Sequence, residues 1–148
     1  MKQLAPLEVG LPVEDLERML DFYLSVLGCT EVRRADIAPE LSRRLAVGRE
    51  GYVNVWLRTP GGEVIKLMAP PDPPEREAVL GYSSERTGFR YLTFYCEAIE
   101  DVLAKAEAAG ATLRSERALL DGELGVKLCF FADPEGNVIE LVEPAPQN

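Results

Sequence analysis

The sequence predicts an α+β protein built from two βαβββ modules, and three observations carry that prediction. The stretch TPGGEVIKLMAP at 59–70 returns as DPEGNVIELVEP at 133–144, with identity at Pro60/Pro134, Gly62/Gly136, Val64/Val138, Ile65/Ile139, Leu67/Leu141 and Pro70/Pro144. Upstream of each copy the same order of patterns recurs: one alternating apolar segment, one helical segment, then two further alternating segments. The chain has 148 residues with 47% apolar content, enough for one sizeable core. A half of about 65 residues with one helix covers only one face of its sheet, so the two halves need each other, within one chain or across a dimer.

In the first module, LEVGLPV (7–13) alternates as a strand does. Asp15 is then placed to cap a helix whose Leu16, Met19, Leu20, Tyr23 and Leu27 share one face, before Gly28 stops it. CTEVRRA (29–35) and GYVNVWLR (51–58) read as the next strands. The repeat follows, a Pro-x-Gly turn opening the last strand, with glycine supplying a positive φ. In the second module FRYLTFY (89–95) is the strand, and Ile99, Val102, Leu103 and Ala106 define a helix ending at Gly110. ATLRSER (111–117), GVKLCFF (125–131) and the second repeat complete it. The modules are bounded at 1–70 and 89–148. The Pro-rich, charged segment 71–88 between them reads as a linker, with a short helical piece around Arg76–Leu80.

Composition removes several function classes. The net charge of −9 and dispersed arginines argue against a nucleic-acid partner. No apolar run approaches the roughly 20 residues of a spanning helix, and the start MKQLAPLEVG lacks the pattern of a secretion signal, so a cytoplasmic protein without a membrane partner is expected. Cys29, Cys96 and Cys129 are isolated. There is no histidine, which removes imidazole as base or ligand, and with it the two-His, one-carboxylate iron site.

Strand alternation separates two sheet faces. One carries Leu7, Val9, Leu11, Val53, Val55, Leu57, Ile65, Leu67, Leu92, Phe94, Leu128, Phe130, Ile139 and Leu141, all apolar, as a face under helices should be. The other carries Glu8, Gly10, Asn54, Trp56, Arg58, Val64, Lys66, Met68, Tyr91, Thr93, Tyr95, Lys127, Cys129, Phe131, Val138, Glu140 and Val142. That mixture of charges and large apolar groups suits the wall of a small-molecule site better than an open surface.

The stretches VGLPVEDLERMLDFYLSVLG (9–28), FRYLTFYCEAIEDVLAKAEAAGA (89–111) and above all FFADPEGNVIELVEP (130–144) resemble the vicinal oxygen chelate superfamily, the glyoxalase I, bleomycin-resistance and extradiol dioxygenase type. The resemblance implies that the paired modules form a half-open barrel around a small-molecule cleft, and that the protein is a homodimer. It also implies four metal-ligand positions, which fall on Glu8, Lys66, Tyr91 and Glu140. Lys66 is a cation where a ligand should stand, and Tyr91 is an uncommon ligand, so no metal or other cofactor is expected. If a divalent metal bound, Glu8 and Glu140 would hold it.

The catalytic candidates are therefore Glu8, Lys66, Tyr91 and Glu140. Lys66 would stabilise a substrate oxygen, Tyr91 would donate a hydrogen bond, and a glutamate would remove a proton next to a carbonyl, giving lyase or isomerase chemistry. Alternatively, the same charges form an ion-pair network that only neutralises the pocket. Trp56, Arg58, Met68, Tyr95 and Phe131 are the candidate substrate-binding residues, with Arg90 a weaker one. Arg33, Arg34, Arg43 and Arg44 read as solvated, and 35–51 as a flap. Three functions stay open: a metal-free lyase or isomerase on a small oxygen-bearing molecule, a non-catalytic drug- or metabolite-binding protein, and a conventional metal-dependent lyase or dioxygenase.

Overall fold

A computed structural model describes residues 1–75, 81–123 and 125–145. The chain is a mixed α+β protein that divides into two compact units, Met1–Arg76 and Glu77–Asn148. The expected helical piece around Arg76–Leu80 lies outside the described residues.

The first unit runs β1 (Glu8–Pro12), α1 (Leu16–Ser25), β2 (Thr30–Ile37), α2 (Pro39–Arg44), β3 (Tyr52–Arg58) and β4 (Val64–Ala69). Its four strands lie in the order β1-β4-β3-β2, with β1 parallel to β4 and the other pairs antiparallel. Asp15 caps α1 by accepting a hydrogen bond from the Arg18 N–H at 3.1 Å. Met19, Phe22 and Tyr23 on its inner face are fully buried with Val55, Leu57 and Leu67 of the sheet. The helix ends where Gly28 turns through φ +67° and the Cys29 N–H returns to the Tyr23 carbonyl.

The segment expected as a flap is more regular than its sequence suggests. β2 continues to Ile37, and Pro39 at the first helical turn starts α2. The buried Ser42 hydroxyl donates to the Gly48 carbonyl at 3.1 Å and ties the helix to the return loop. Gly51 is needed where that loop rejoins the sheet, because a Cβ there would stand 2.3 Å from the Ile37 carbonyl oxygen.

The second unit begins with a single 3-10 turn at Ser83–Glu85, then β5 (Tyr91–Tyr95), α3 (Ile99–Ala108), β6 (Thr112–Leu113), β7 (Leu119–Asp121), β8 (Val126–Ala132) and β9 (Val138–Pro144). The order β5-β9-β8-β6, with β5 parallel to β9, repeats that of the first unit, and β7 adds to β8. The strand expected over 111–117 is only two residues long, followed by Ala118 at φ +44° and the separate β7. Arg117 is drawn away from the sheet by Glu107, which it meets at 2.8 Å, and by Glu100, at 2.9 Å, both on α3.

Both repeat turns have the expected glycine, with φ +103° at Gly62 and +97° at Gly136. They are closed by different chemistry. In the first, the Thr59 hydroxyl donates to Glu63 at 2.7 Å. In the second, the buried Asp133 carboxylate accepts from the Glu135 and Asn137 N–H groups, both at 2.9 Å, and from the Asn137 side-chain amide.

One strand has the opposite phase to that expected. In β8, Cys129 pairs with Leu141 and Phe131 with Ile139, so Cys129 and Phe131 lie on the helix-covered face, and both are completely buried. Leu128 and Phe130 pair with Val142 and Glu140 and take the polar face instead. Lys127 likewise moves to the helix side, where it meets Glu143 at 3.3 Å.

Candidate active site

The sheet registers place the candidate residues of the first unit in rows across one face, since paired positions share a face. Gly10, Lys66, Trp56 and Arg33 form one row across β1, β4, β3 and β2. Pro12, Met68, Asn54 and Ala35 form the next on one side. Glu8, Val64, Arg58 and Thr30 form the next on the other.

Lys66 is half-buried at the middle of this face, and its Nζ lies 3.1 Å from Glu8 Oε2 in the neighbouring row. Trp56 is half-buried beside it. A side chain at Gly10 would reach within 3.0 Å of the Met68 sulfur, so glycine leaves the space next to Lys66 clear of β1. Arg58, at the end of β3, is exposed. Met68 is half-buried opposite Asn54.

Arg33 was expected in solvent and is exposed, but it stands on the polar side of β2 rather than in a loop. A bulge between Glu31 and Arg33 inserts Val32. Glu31 pairs with Leu57 and Arg34 with Val55, both on the helix side, where Arg34 meets Glu31 at 3.1 Å and Glu17 of α1 at 3.6 Å. Arg33 is turned to the polar side, its Cζ 4.7 Å from the centre of the Trp56 ring, a distance at which the cation is attracted to the aromatic face. Plain alternation along 30–37 does not reveal this, because the insertion of Val32 becomes visible only once the eight residues of β2 pair with the seven of β3.

In the second unit, Tyr91 and Tyr95 on β5 share a face with Glu140 on β9. Glu140 accepts a hydrogen bond from the Thr93 hydroxyl at 2.6 Å. Tyr91 packs edge-to-face on Phe130, ring centres 5.2 Å apart, and keeps 48% of its surface exposed. Tyr95 is more exposed, at 74%. Phe131, expected on this wall, is a core residue, and Phe130 takes its place. Arg90 uses its guanidinium locally, donating to the carbonyls of Arg86 and Thr87.

Burial pushes the Cys29 and Cys96 thiols up to about 11, with the Glu143 charge adding to the effect at Cys96, and burial raises Cys129 as well.

Two units of one βαβββ topology, each with an apolar sheet face under its helix and a polar face carrying the repeat's Lys66 or Glu140, define a duplicated-module α+β protein. The chain belongs to the Glyoxalase/Bleomycin resistance protein/Dioxygenase superfamily, whose family model matches residues 5–141. It is 27% identical to a lactoylglutathione lyase of Pseudomonas putida over 92% of this chain and 83% of that protein. It is also 27% identical to the uncharacterized protein YwkD of Bacillus subtilis, over 91% of this chain and 93% of that one. Among solved structures, a glyoxalase family protein from Bacillus cereus superposes with a TM-score of 0.82 at 24% identity, covering 99% of this chain and 97% of the other, which shows the shared fold.

Proposed function

We propose that the protein is a lyase- or isomerase-type enzyme acting on a small oxygen-bearing molecule, with Lys66 in place of a resident divalent metal. The observation that carries this reading is the Lys66–Glu8 pair, 3.1 Å apart at the centre of the polar face. An ammonium held there stabilises negative charge developing on a substrate oxygen, and the adjacent Glu8 carboxylate is a base for a proton next to a carbonyl. On the polar face of the second unit, Tyr91 offers a hydrogen-bond donor and Glu140 a second carboxylate. The similarity to a lactoylglutathione lyase supports the lyase class.

The donor set does not fit a divalent cation. In the first unit Lys66 brings a positive charge against Glu8, and in the second unit Glu140 already accepts the Thr93 hydroxyl. Among the described residues no group of three or more Cys, Asp or Glu is placed to hold a metal. Elemental mass spectrometry of tag-free protein after incubation with iron, manganese, nickel and zinc tests this. Near-stoichiometric metal that disappears in Glu140→Gln would restore a metal enzyme.

The catalytic role is tested by exchange of the α-protons of small hydroxyketones into D2O, followed by NMR. Lys66→Met is expected to slow exchange by about 10²–10³-fold, the usual effect of removing a group that stabilises a developing oxyanion. Unchanged exchange with normal affinity would remove Lys66 from catalysis. Saturable binding with no exchange in the parent protein would favour a binding protein instead.

A further inference from the structure

The polar face of the first sheet is electrically unlike the rest of the molecule. The protein carries 25 acidic and 16 basic side chains. On this face Lys66, Arg33 and Arg58 oppose the single carboxylate of Glu8. Lys66 is paired with Glu8, whereas neither Arg33 nor Arg58 meets a carboxylate among the described residues. Arg33 is exposed, and the bulge turns it to this side, where its Cζ lies 4.7 Å from the centre of the Trp56 ring. Bulges of this kind re-aim side chains at binding sites.

A second, independent observation lies in the adjacent row. Asn54 is 4% exposed, and its Oδ1 is buried without a hydrogen-bond partner. A buried acceptor left unpaired is costly, so Asn54 Oδ1 calls for a hydrogen-bond donor from outside the chain's own side chains. Its row neighbours, Met68 and Ala35, have no side-chain N–H or O–H to offer.

We propose that this face binds a small oxyanion on the Arg33 guanidinium, and that Asn54 Oδ1 accepts a hydrogen bond from an O–H or N–H of the same ligand. This rests on the polar face being the ligand site, but not on Lys66 acting as a catalyst. The planar fork of Arg33, its Cζ over the indole ring, matches the geometry of a carboxylate or a phosphate group.

Trp56 is the single tryptophan, so its fluorescence reports directly on occupancy beside Arg33. The probes are glycolate, its neutral counterpart glycolamide, acetate, which lacks the hydroxyl, and inorganic phosphate, all at constant ionic strength. A saturable change with glycolate or phosphate, and none with glycolamide, is expected. Whichever anion binds more tightly identifies the oxyanion as carboxylate or phosphate. Arg33→Gln is expected to weaken anion binding about tenfold or more, with Arg33→Lys intermediate. Asn54→Leu should weaken glycolate about three- to tenfold and leave acetate unchanged. No saturable change with either anion, an equal response to glycolamide, or unchanged affinity in a folded Arg33→Gln protein would overturn the oxyanion site. Unchanged glycolate affinity in Asn54→Leu would overturn the role of Asn54. A Lys66→Met variant that keeps α-proton exchange would refute the catalytic reading while leaving this inference standing.

Discussion

The carboxylate of Glu143, near the end of β9, accepts a hydrogen bond from the backbone N–H of Ile99, the first residue of α3, at 2.8 Å. The residue at the usual capping position, Ala98, has no side chain able to do this and sits at φ +51°. The helix start is therefore capped from 44 positions away in sequence, by a strand residue that Lys127 also pairs with.

That bond makes α3 sensitive to pH. The Ile99 N–H, and secondarily Lys127, hold the Glu143 carboxyl below the usual carboxylate range. A group lowered in the folded state stabilises the fold above its unfolded pKa and loses that contribution as pH falls through the folded value. Glu143→Ala is expected to lower the melting temperature by about 2–4 °C at neutral pH. The difference from the parent protein should shrink as the pH drops below about 4, read by melting curves across a pH series.

The phase of β8 has an energetic consequence. Phe131 is fully buried on the helix side, while Phe130 is half-buried on the polar face against Tyr91. Phe131→Ala is expected to destabilise the protein by about 3–5 kcal/mol in denaturant unfolding. Phe130→Ala should cost less than about half as much, since its ring is only partly removed from water. Equal losses at the two positions would contradict the register.

The thiols make a kinetic prediction. With Cys29 and Cys96 raised to about 11, alkylation of the native protein should be slow at neutral pH. Its rate should keep rising towards pH 10, rather than levelling near the ordinary thiol value of about 8.5. Iodoacetamide labelling followed by mass spectrometry across pH gives the profile. A plateau near the ordinary value would mean that these cysteines are more open than their burial indicates.

The sequence was most legible where a residue's own backbone chemistry decides the structure. Asp15 caps α1, and Gly62 and Gly136 open the last strands with positive φ, as their types and spacing suggest. It was least legible where a distant residue decides. The Phe130–Phe131 doublet fits either phase of an alternating strand, and only pairing with Leu141 and Ile139 selects one. The stretch 111–117 alternates well enough for a strand, yet the two α3 glutamates draw Arg117 out of it. Of the candidate site, the Lys66–Glu8 pair follows from alternation and the repeat. Arg33 does not, because an inserted residue leaves no mark in composition or periodicity.

The bulge in β2 separates two neighbouring arginines onto opposite sides of the sheet, Arg33 over Trp56 and Arg34 against Glu17 and Glu31. Were the strand to slip by one residue and straighten, Arg34 would face Asn54 from the polar side and Arg33 would exchange into its place. Positive charge on the wall is thus indifferent to the parity of the strand, because the doublet supplies an arginine in either register. What parity controls is the seat: only the bulged arrangement sets a guanidinium over the indole, so a single-residue insertion or deletion nearby would change where positive charge stands on the wall without changing its sign.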